Sequence, residues 1–204
     1  MSKIKIDKFF KRLKGCLKER ESVLRCFSQY EFQSEGWLKG ECIALLDDMK
    51  NKHQILNFDR EFSFGKKKID LTITDLSNGL HYLELKHWYI GKQKGHIWDT
   101  KSQITGLEDE FEKFKKTSAE TWAWVIVLCS FGFNPEDFKM NAKENWEDGI
   151  KQFNKEYAPW RLEQHKDSEF LFPFCFLGIL HAKGLKFILK NPLLLSNSSP
   201  KIKL

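Results

Sequence analysis

Residues 121–131, TWAWVIVLCSF, restrict the fold of this chain more than any other segment. The run is almost continuously apolar, which is typical of a β-strand that is buried on both faces. Such a strand needs a layer of other elements on each side of its sheet. The segment therefore favours an α/β fold in which a central sheet is flanked by helices.

Hydrophobic periodicity predicts the remaining elements. Apolar residues at three- and four-residue steps predict helices at 4–27, from a candidate N-cap at Ser34 to Met49 or Lys50, from about 103 to Lys116, and from Pro135 onward. Alternating or continuously apolar runs predict strands at 54–64, 67–74, 80–88 and 169–181. The expected fold class is α/β, with a mixed central β-sheet between helices.

Length and composition favour one globular domain. At 204 residues with 41% hydrophobic side chains, the chain fits a single domain with extensions. We divide it into a basic N-terminal helix at 1–30, a core at 31–131, an additional helix and strand at 132–181, and a C-terminal tail at 182–204. The longest apolar run, at 170–180, is too short to span a bilayer, and the N-terminus lacks an apolar signal core. We expect a cytoplasmic protein that does not enter a membrane.

Charge is concentrated at the two ends of the chain. Residues 1–30 contain nine Lys and Arg against three acids, and residues 181–204 contain five Lys and no acid, whereas the net charge of the whole chain is only +6. Basic ends around an acidic middle suit a polyanionic partner. The alternative is that these basic residues are only solvated. Five scattered cysteines show no spacing that suits zinc.

A predicted hairpin brings two acids together. If residues 75–79, DLSNG, form the turn, Thr74 faces Leu80 and the same register places Asp70 opposite Glu84. Directly opposed side chains lie about 5 Å apart, and two carboxylates at that distance repel one another. A divalent cation removes the repulsion, and carboxylate oxygens favour Mg²⁺ or Mn²⁺ over zinc.

Lys86 adds a cation to the same strand face. It follows Glu84 by two residues, so both side chains point the same way. A metal and a lysine together are suited to phosphodiester hydrolysis: the lysine either orients or deprotonates a water, or stabilises developing charge. The alternative is an ordinary Glu/Lys pair on a half-exposed strand.

The segment KKKIDLTITDLSNGLHYLELKHW resembles the motif of the PD-(D/E)xK nuclease superfamily, with an acid on one strand, a turn, and E-x-K on the next strand. The resemblance implies a restriction-endonuclease-like core (αβββαβ) over residues 34–131. It also implies that Asp70 and Glu84 are metal ligands and that Lys86 is the catalytic lysine. Ile69 replaces the proline of the family's name.

The resemblance implies further site residues. The backbone carbonyl of Leu85 is a candidate metal ligand. The family often adds a glutamate from the preceding helix, for which Glu41 is the first candidate and Glu35 the second. Gln103, at the start of the next helix, is a candidate for reaching the active site. A solvated Glu41 and a solvated Gln103 are the alternatives.

The segment after Lys86 combines cations with rings. Four candidate nucleic-acid-binding residues interleave with Trp88, Tyr89 and Trp98 in this segment: Lys92, Lys94, His96 and Lys101. Cations for phosphates and rings for bases are the usual materials of nucleic-acid contact. The alternative is a polar loop whose aromatic side chains pack on the core.

These patterns predict a metal-dependent nuclease with DNA as its substrate and Mg²⁺, or Mn²⁺, as its cofactor. Three alternatives remain open: an RNA nuclease, a catalytically silent nuclease-like module that binds nucleic acid or protein, and a peripheral membrane protein that uses the basic N-terminal helix. Paired cuts in duplex DNA would suggest a homodimer, but nothing in the sequence identifies an interface.

Overall fold

The computed structural model describes residues 4–30, 32, 34–64, 67–90, 92–93, 96–97, 100–112, 121–131, 135–157 and 161–183. Its helices are α1 (Ile4–Lys18), α2 (Glu21–Gln29), α3 (Glu35–Asn51), α4 (Thr100–Thr105), α5 (Glu108–Glu112) and α6 (Pro135–Glu156). Its strands are β1 (Asn57–Phe64), β2 (Lys67–Thr74), β3 (Leu80–Ile90), β4 (Lys92–Gln93), β5 (His96–Ile97), β6 (Thr121–Phe131), β7 (Arg161–Gln164), β8 (Glu169–Phe172) and β9 (Cys175–Lys183). The C-terminal tail from residue 184 lies outside the described residues.

Seven strands form one mixed, open sheet in the order β1-β2-β3-β6-β9-β7, with β8 paired to β9. Strands β3 and β6 are parallel, and all other neighbours are antiparallel. The expected α/β class and mixed sheet are confirmed. Strand β6 lies between β3 and β9, which explains why its sequence is apolar throughout.

Two hydrophobic clusters lie on opposite faces of the sheet. The first joins α1, α2 and α3 to one face and includes Phe10, Leu46 and Leu85. The second joins α4, α5 and α6 to the other face and includes Phe111 and Trp146. The sheet is therefore covered on both sides.

The structure corrects several predicted boundaries. The predicted helix at 4–27 is two helices, because the chain tightens after α1, where the N–H of Arg20 donates to the carbonyl of Leu17 at 3.0 Å. The predicted strand at 169–181 is interrupted by a turn that contains Pro173, and β7 is an additional strand. The predicted helix from 103 is broken into α4 and α5. None of the described helices combines the length and apolar character needed to cross a bilayer.

The hairpin of β2 and β3 has the predicted register, from Thr74 opposite Leu80 to Leu71 opposite Leu83. Its turn is held by Asp75, whose Oδ1 accepts the N–H groups of Ser77 at 2.6 Å and Gly79 at 2.9 Å. Asp75, whose side chain closes the turn, belongs to the DLSNG segment from which the turn was predicted. This hairpin positions the candidate site.

Candidate active site

Glu84 and Lys86 project from the same face of β3. They alternate with Leu83 and Leu85, which are buried in the first hydrophobic cluster. Their side chains therefore face the layer of α4, α5 and α6. The side chain of Glu84 is only 6% exposed and that of Lys86 is 22% exposed, so both charges lie in a partly dehydrated environment.

Asp70 lies where β2 separates from β3. The ladder ends at the pair of Leu71 and Leu83, one step before Asp70 would face Glu84. Instead, Oδ2 of Asp70 accepts the backbone N–H of Leu85 at 3.0 Å, and Oδ1 accepts Nζ of Lys39 on α3 at 3.0 Å. The carboxylate thus replaces the backbone acceptor that a continued ladder would have supplied to Leu85.

Glu61 marks the same position on the neighbouring strand. The β1–β2 register places it opposite Asp70, between regular pairs on either side, and its φ is 53°. Positive φ is uncommon for residues other than glycine. The alternation of β2 also reverses at this point, since Ile69 packs in the second hydrophobic cluster whereas Leu71 packs in the first. In a regular strand Ile69 and Leu71 would share one face, and here they lie on opposite faces.

Lys86 lies between two acids. Its Nζ is 3.0 Å from Oε1 of Glu110 on α5 and 3.7 Å from Oε1 of Glu84. Burial opposes the charge of Lys86, but the hydrogen bond and charge of Glu110, with the charges of Glu84 and Glu35, outweigh burial and raise the pKa of Lys86. The lysine is therefore a cation at neutral pH in this arrangement.

Glu35, the first residue of α3, joins the group from the opposite layer. Burial raises the pKa of its carboxyl, and the charges of Asp70 and Glu110 raise it further, while the charge of Lys86 and the N–H of His87 oppose the change. The net pKa of Glu35 is raised. We call Glu35, Asp70, Glu84, Lys86 and Glu110 the acidic cluster.

The structure does not bring Glu41 to the acidic cluster. Its Oε1 is 3.3 Å from Nε of Arg20, in the connection between α1 and α2. Glu35 and Lys39 are four residues apart and share one face of α3, but Glu41 lies two residues past Lys39, about 200° around the axis. Of the two candidates from the sequence, Glu35 is the one whose carboxyl is affected by the charges of Lys86 and Asp70.

His87 fixes the start of α3 against the sheet. The N–H of Ser34 donates to Nδ1 of His87 at 3.2 Å, so the neutral ring carries its proton on Nε2, which lies 2.9 Å from Oγ of Ser130. Burial lowers the pKa of His87 to about 4. The neutral imidazole therefore holds the N-terminal end of α3, and with it Glu35, beside Lys86.

The remaining candidate residues are less fully placed. Gln103 is partly buried and Lys101 is exposed in α4. Lys92 and His96 lie in β4 and β5, a two-stranded ribbon whose side chains are outside the described part of the chain. Lys94 lies wholly outside the described residues. The contact role predicted for these residues stays a prediction, as does the Leu85 carbonyl as a ligand.

Two members of the site environment were missed from the sequence. Lys39 lies one helical turn after Glu35, and that spacing on α3 was the available signal. Glu110 lies in the acidic run LEDEFE, where nothing distinguishes it from its neighbours in sequence. Only the packing of α5 beside β3 singles it out.

The arrangement has to be interpreted from its own chemistry. No protein-family model, curated protein or solved structure matches this chain. The PD-(D/E)xK resemblance accordingly remains a hypothesis that the geometry of the acidic cluster has to support.

A divalent cation fits the cluster in donor chemistry and charge but not in spacing. Four carboxylates, those of Asp70, Glu84, Glu110 and Glu35, are accompanied by only two ammonium groups, those of Lys39 and Lys86. Carboxylate oxygens are the ligands that Mg²⁺ prefers. Within the described ranges, however, no three Asp, Glu, His or Cys side chains are grouped closely enough to hold a metal ion. The Nζ of Lys39 would have to move away from Oδ1 of Asp70 before that oxygen could become a metal ligand.

Proposed function

We propose that this protein is a metal-dependent nuclease whose catalytic residues are Asp70, Glu84 and Lys86. The observation that carries the proposal is the opening between β2 and β3, where Asp70 leaves the ladder beside a strand that presents Glu84 and Lys86. The restriction-endonuclease-like core belongs to the same proposal, supported by the order α3, β1, β2, β3, α4 and α5, β6.

The acids have the role of holding Mg²⁺ or Mn²⁺. Asp70 and Glu84 are the proposed ligands, with the Leu85 carbonyl and Glu35 as additional oxygen donors. A divalent cation bound there would supply charge neutralisation and a more acidic water. Burial of Glu84 favours this role, because a buried carboxylate is stabilised strongly by a neighbouring cation.

Lys86 has the role of a cation rather than a base. The sequence left both roles open. Without a metal, burial lowers the pKa of Lys86, but the hydrogen bond and charge of Glu110, with the charge of Glu84, outweigh burial and raise it, which supports the role of a cation. A fixed ammonium group orients a water or stabilises the negative charge that develops on a phosphoryl group. Glu110 positions Lys86 through the 3.0 Å contact and does not need to touch the substrate.

A cleavage assay tests the proposal. Wild-type protein and the Asp70→Asn variant are incubated with plasmid, linear duplex, single-stranded DNA and RNA, in Mg²⁺, Mn²⁺ or EDTA. We expect cleavage by wild type that needs the metal and is lost in Asp70→Asn, and the preferred substrate distinguishes DNA from RNA. Cleavage that survives EDTA or Asp70→Asn would contradict the metal mechanism.

A catalytically silent module is the second candidate, favoured by the spacing of the carboxylates and the contact between Lys39 and Asp70. It predicts binding without cleavage under every metal condition. The same assay, with binding measured in parallel, separates the two functions.

A further inference from the structure

The segment between α2 and α3 exposes two aromatic rings. Tyr30 is 70% exposed and Phe32 is 62% exposed, more than any other large hydrophobic side chain in the described part of the chain. Exposed apolar surface of this kind often marks an interaction site. We call Tyr30 and Phe32 the aromatic platform.

Phe32 is held in place from beneath. Its backbone N–H donates to the carbonyl of Phe27 at 3.2 Å, and the two rings are stacked at 17° with centroids 5.9 Å apart. Phe27 is buried, whereas most of the Phe32 side chain is open to solvent. The Phe32 ring therefore continues a stack that begins in the core, and a further flat ring can extend it.

The aromatic platform adjoins the acidic cluster. The Phe27 ring also packs edge-on against His87, at 6.2 Å between centroids, on the face of β3 opposite to Lys86. In the other direction the chain continues from Phe32 through Ser34, which donates to His87, into Glu35. Phe32 precedes Glu35 by three residues, a span of at most about 11 Å, so a chain that reaches Glu35 can also contact the Phe32 ring.

Charge identifies the occupant. The platform lies at the end of residues 1–30, a segment with a net charge of +6, and Glu31 is the acid between its two rings in sequence. Five of its cations are exposed on α1, α2 and the connection between them: Lys8, Lys11, Lys18, Arg20 and Arg25. The last three also pair with Glu169, Glu41 and Glu21, so a phosphate would share these cations with the acids or displace the acids. Cations for a phosphate backbone beside rings that can stack on bases are the features of single-strand binding sites.

We propose that Tyr30 and Phe32 stack on unpaired bases, so that the substrate of the acidic cluster is a single-stranded nucleic acid or the unpaired end of a duplex. This inference rests on the proposed nuclease function. In a duplex the faces of internal bases are covered by their neighbours, so only an unpaired or terminal base can complete the Phe32 stack. The loss of one stacking ring weakens binding by about 5- to 160-fold.

The test measures binding in EDTA, where cleavage does not interfere. The probes are a fluorescently labelled single-stranded DNA of about 12 nucleotides, the same strand with abasic positions, and a blunt duplex. The variants are Tyr30→Ala, Phe32→Ala and Phe32→Tyr. Leu76→Ala is the matched control, because Leu76 is a 39% exposed apolar residue in the hairpin turn, at the other end of β3 from Lys86.

We expect Phe32→Ala to weaken binding of the base-carrying strand by at least about fivefold, and Tyr30→Ala to act in the same direction. Phe32→Tyr and Leu76→Ala should bind as wild type does. The abasic strand should bind wild type weakly, and Phe32→Ala should not weaken it further. Equal losses on both strands, or unchanged binding of the base-carrying strand, would overturn the inference.

Two further arms separate the alternatives. If Phe32→Ala reduces flotation with phosphatidylserine-containing vesicles but leaves oligonucleotide binding unchanged, the platform is a membrane contact and the inference is wrong. If the binding results are as expected but wild type never cleaves in Mg²⁺ or Mn²⁺, the nuclease proposal fails and base stacking stands. If Phe32→Ala leaves both cleavage and oligonucleotide binding unchanged, the nuclease proposal stands and the base-stacking inference fails.

Discussion

The carboxylate of Asp70 accepts the backbone N–H of Leu85 at 3.0 Å, in place of the next bond of the β2–β3 ladder. Through its other oxygen it also binds Lys39 at 3.0 Å. One side chain therefore closes the end of the hairpin, joins α3 to the sheet, and lies beside Glu84 and Lys86. Asp70 therefore has a structural role in the hairpin and a proposed role as a metal ligand. Its variants have to be chosen so that the effects on stability and on activity can be separated.

Asp70→Asn and Asp70→Ala should differ in stability but not in activity. An amide oxygen can still accept the N–H of Leu85, whereas alanine leaves that donor and Lys39 without this acceptor. Loss of a partner for a buried donor costs about 1–3 kcal/mol. We expect both variants to lose cleavage and only Asp70→Ala to lose stability of that order, as measured by urea unfolding. Equal stabilities would show that the Asp70 contacts do not hold the hairpin.

Replacement of Lys86 should reduce turnover. In the wild type, the titration of Lys86 should not appear on the alkaline side of the pH profile. We expect Lys86→Met to lower kcat by about 10²–10³-fold, the effect of removing one group that stabilises developing charge. Because Glu110 and Glu84 raise the pKa of Lys86, wild-type activity should show no loss attributable to this lysine between pH 7 and about 10. A lysine acting as a base would instead make the rate rise through this range.

Glu35 and Glu41 provide a matched pair on one helix. Glu35→Gln removes an acid of the acidic cluster and should lower activity by about 10–100-fold, as loss of a group that supports a metal site does. Glu41→Gln breaks only the contact with exposed Arg20 and should leave activity unchanged. The order would be reversed if the sequence-based choice of Glu41 were right.

The raised pKa of Glu35 predicts an acid limb in the pH–rate profile. Burial and the charges of Asp70 and Glu110 place its protonation above the ordinary glutamate pKa of 4.5. At limiting Mg²⁺, where protons compete with the metal for this carboxylate, activity should therefore fall with decreasing pH before ordinary glutamates titrate. In Glu35→Gln the limb should disappear from the residual activity, and its persistence would assign the titration to another group.

His87 predicts a loss of stability in mild acid. Burial lowers its folded pKa to about 4 against 6.5 for the ordinary group, so the unfolded chain takes up the proton first. The neutral ring's contribution is complete above pH 6.5 and is lost as the pH falls towards 4, by up to about 3 kcal/mol. Buried His81 acts in the same direction. Urea unfolding at pH 7.5 and 5 should show a smaller pH dependence in His87→Gln, and an unchanged one in the exposed control His53→Asn.

The hairpin was predictable because its determinants are local. Asp75 supplies the side chain that closes its own turn, and the turn then sets which residues of β2 and β3 face one another as far as Leu71 and Leu83. The apolar run of β6 likewise contains the signal for its central position. Alternation and turn chemistry act over a few residues, so they can be recognised in the sequence.

The acidic cluster required the tertiary structure. Which glutamate of α3 faces the sheet depends on the rotation of the helix, and packing against β-strands on one side and α1 on the other sets that rotation. Beside Glu61 and Asp70 the alternation of β2 reverses, so that Ile69 lies in the opposite hydrophobic cluster, and the β2–β3 ladder ends at Leu71 and Leu83. Strict alternation does not foresee this change. The sequence by itself determined the sheet, the hairpin and the E-x-K strand, because these depend on neighbours in the chain. The pairing of Lys39 with Asp70 and of Glu110 with Lys86 was decided only by the fold, because it joins residues whose approach no local pattern records.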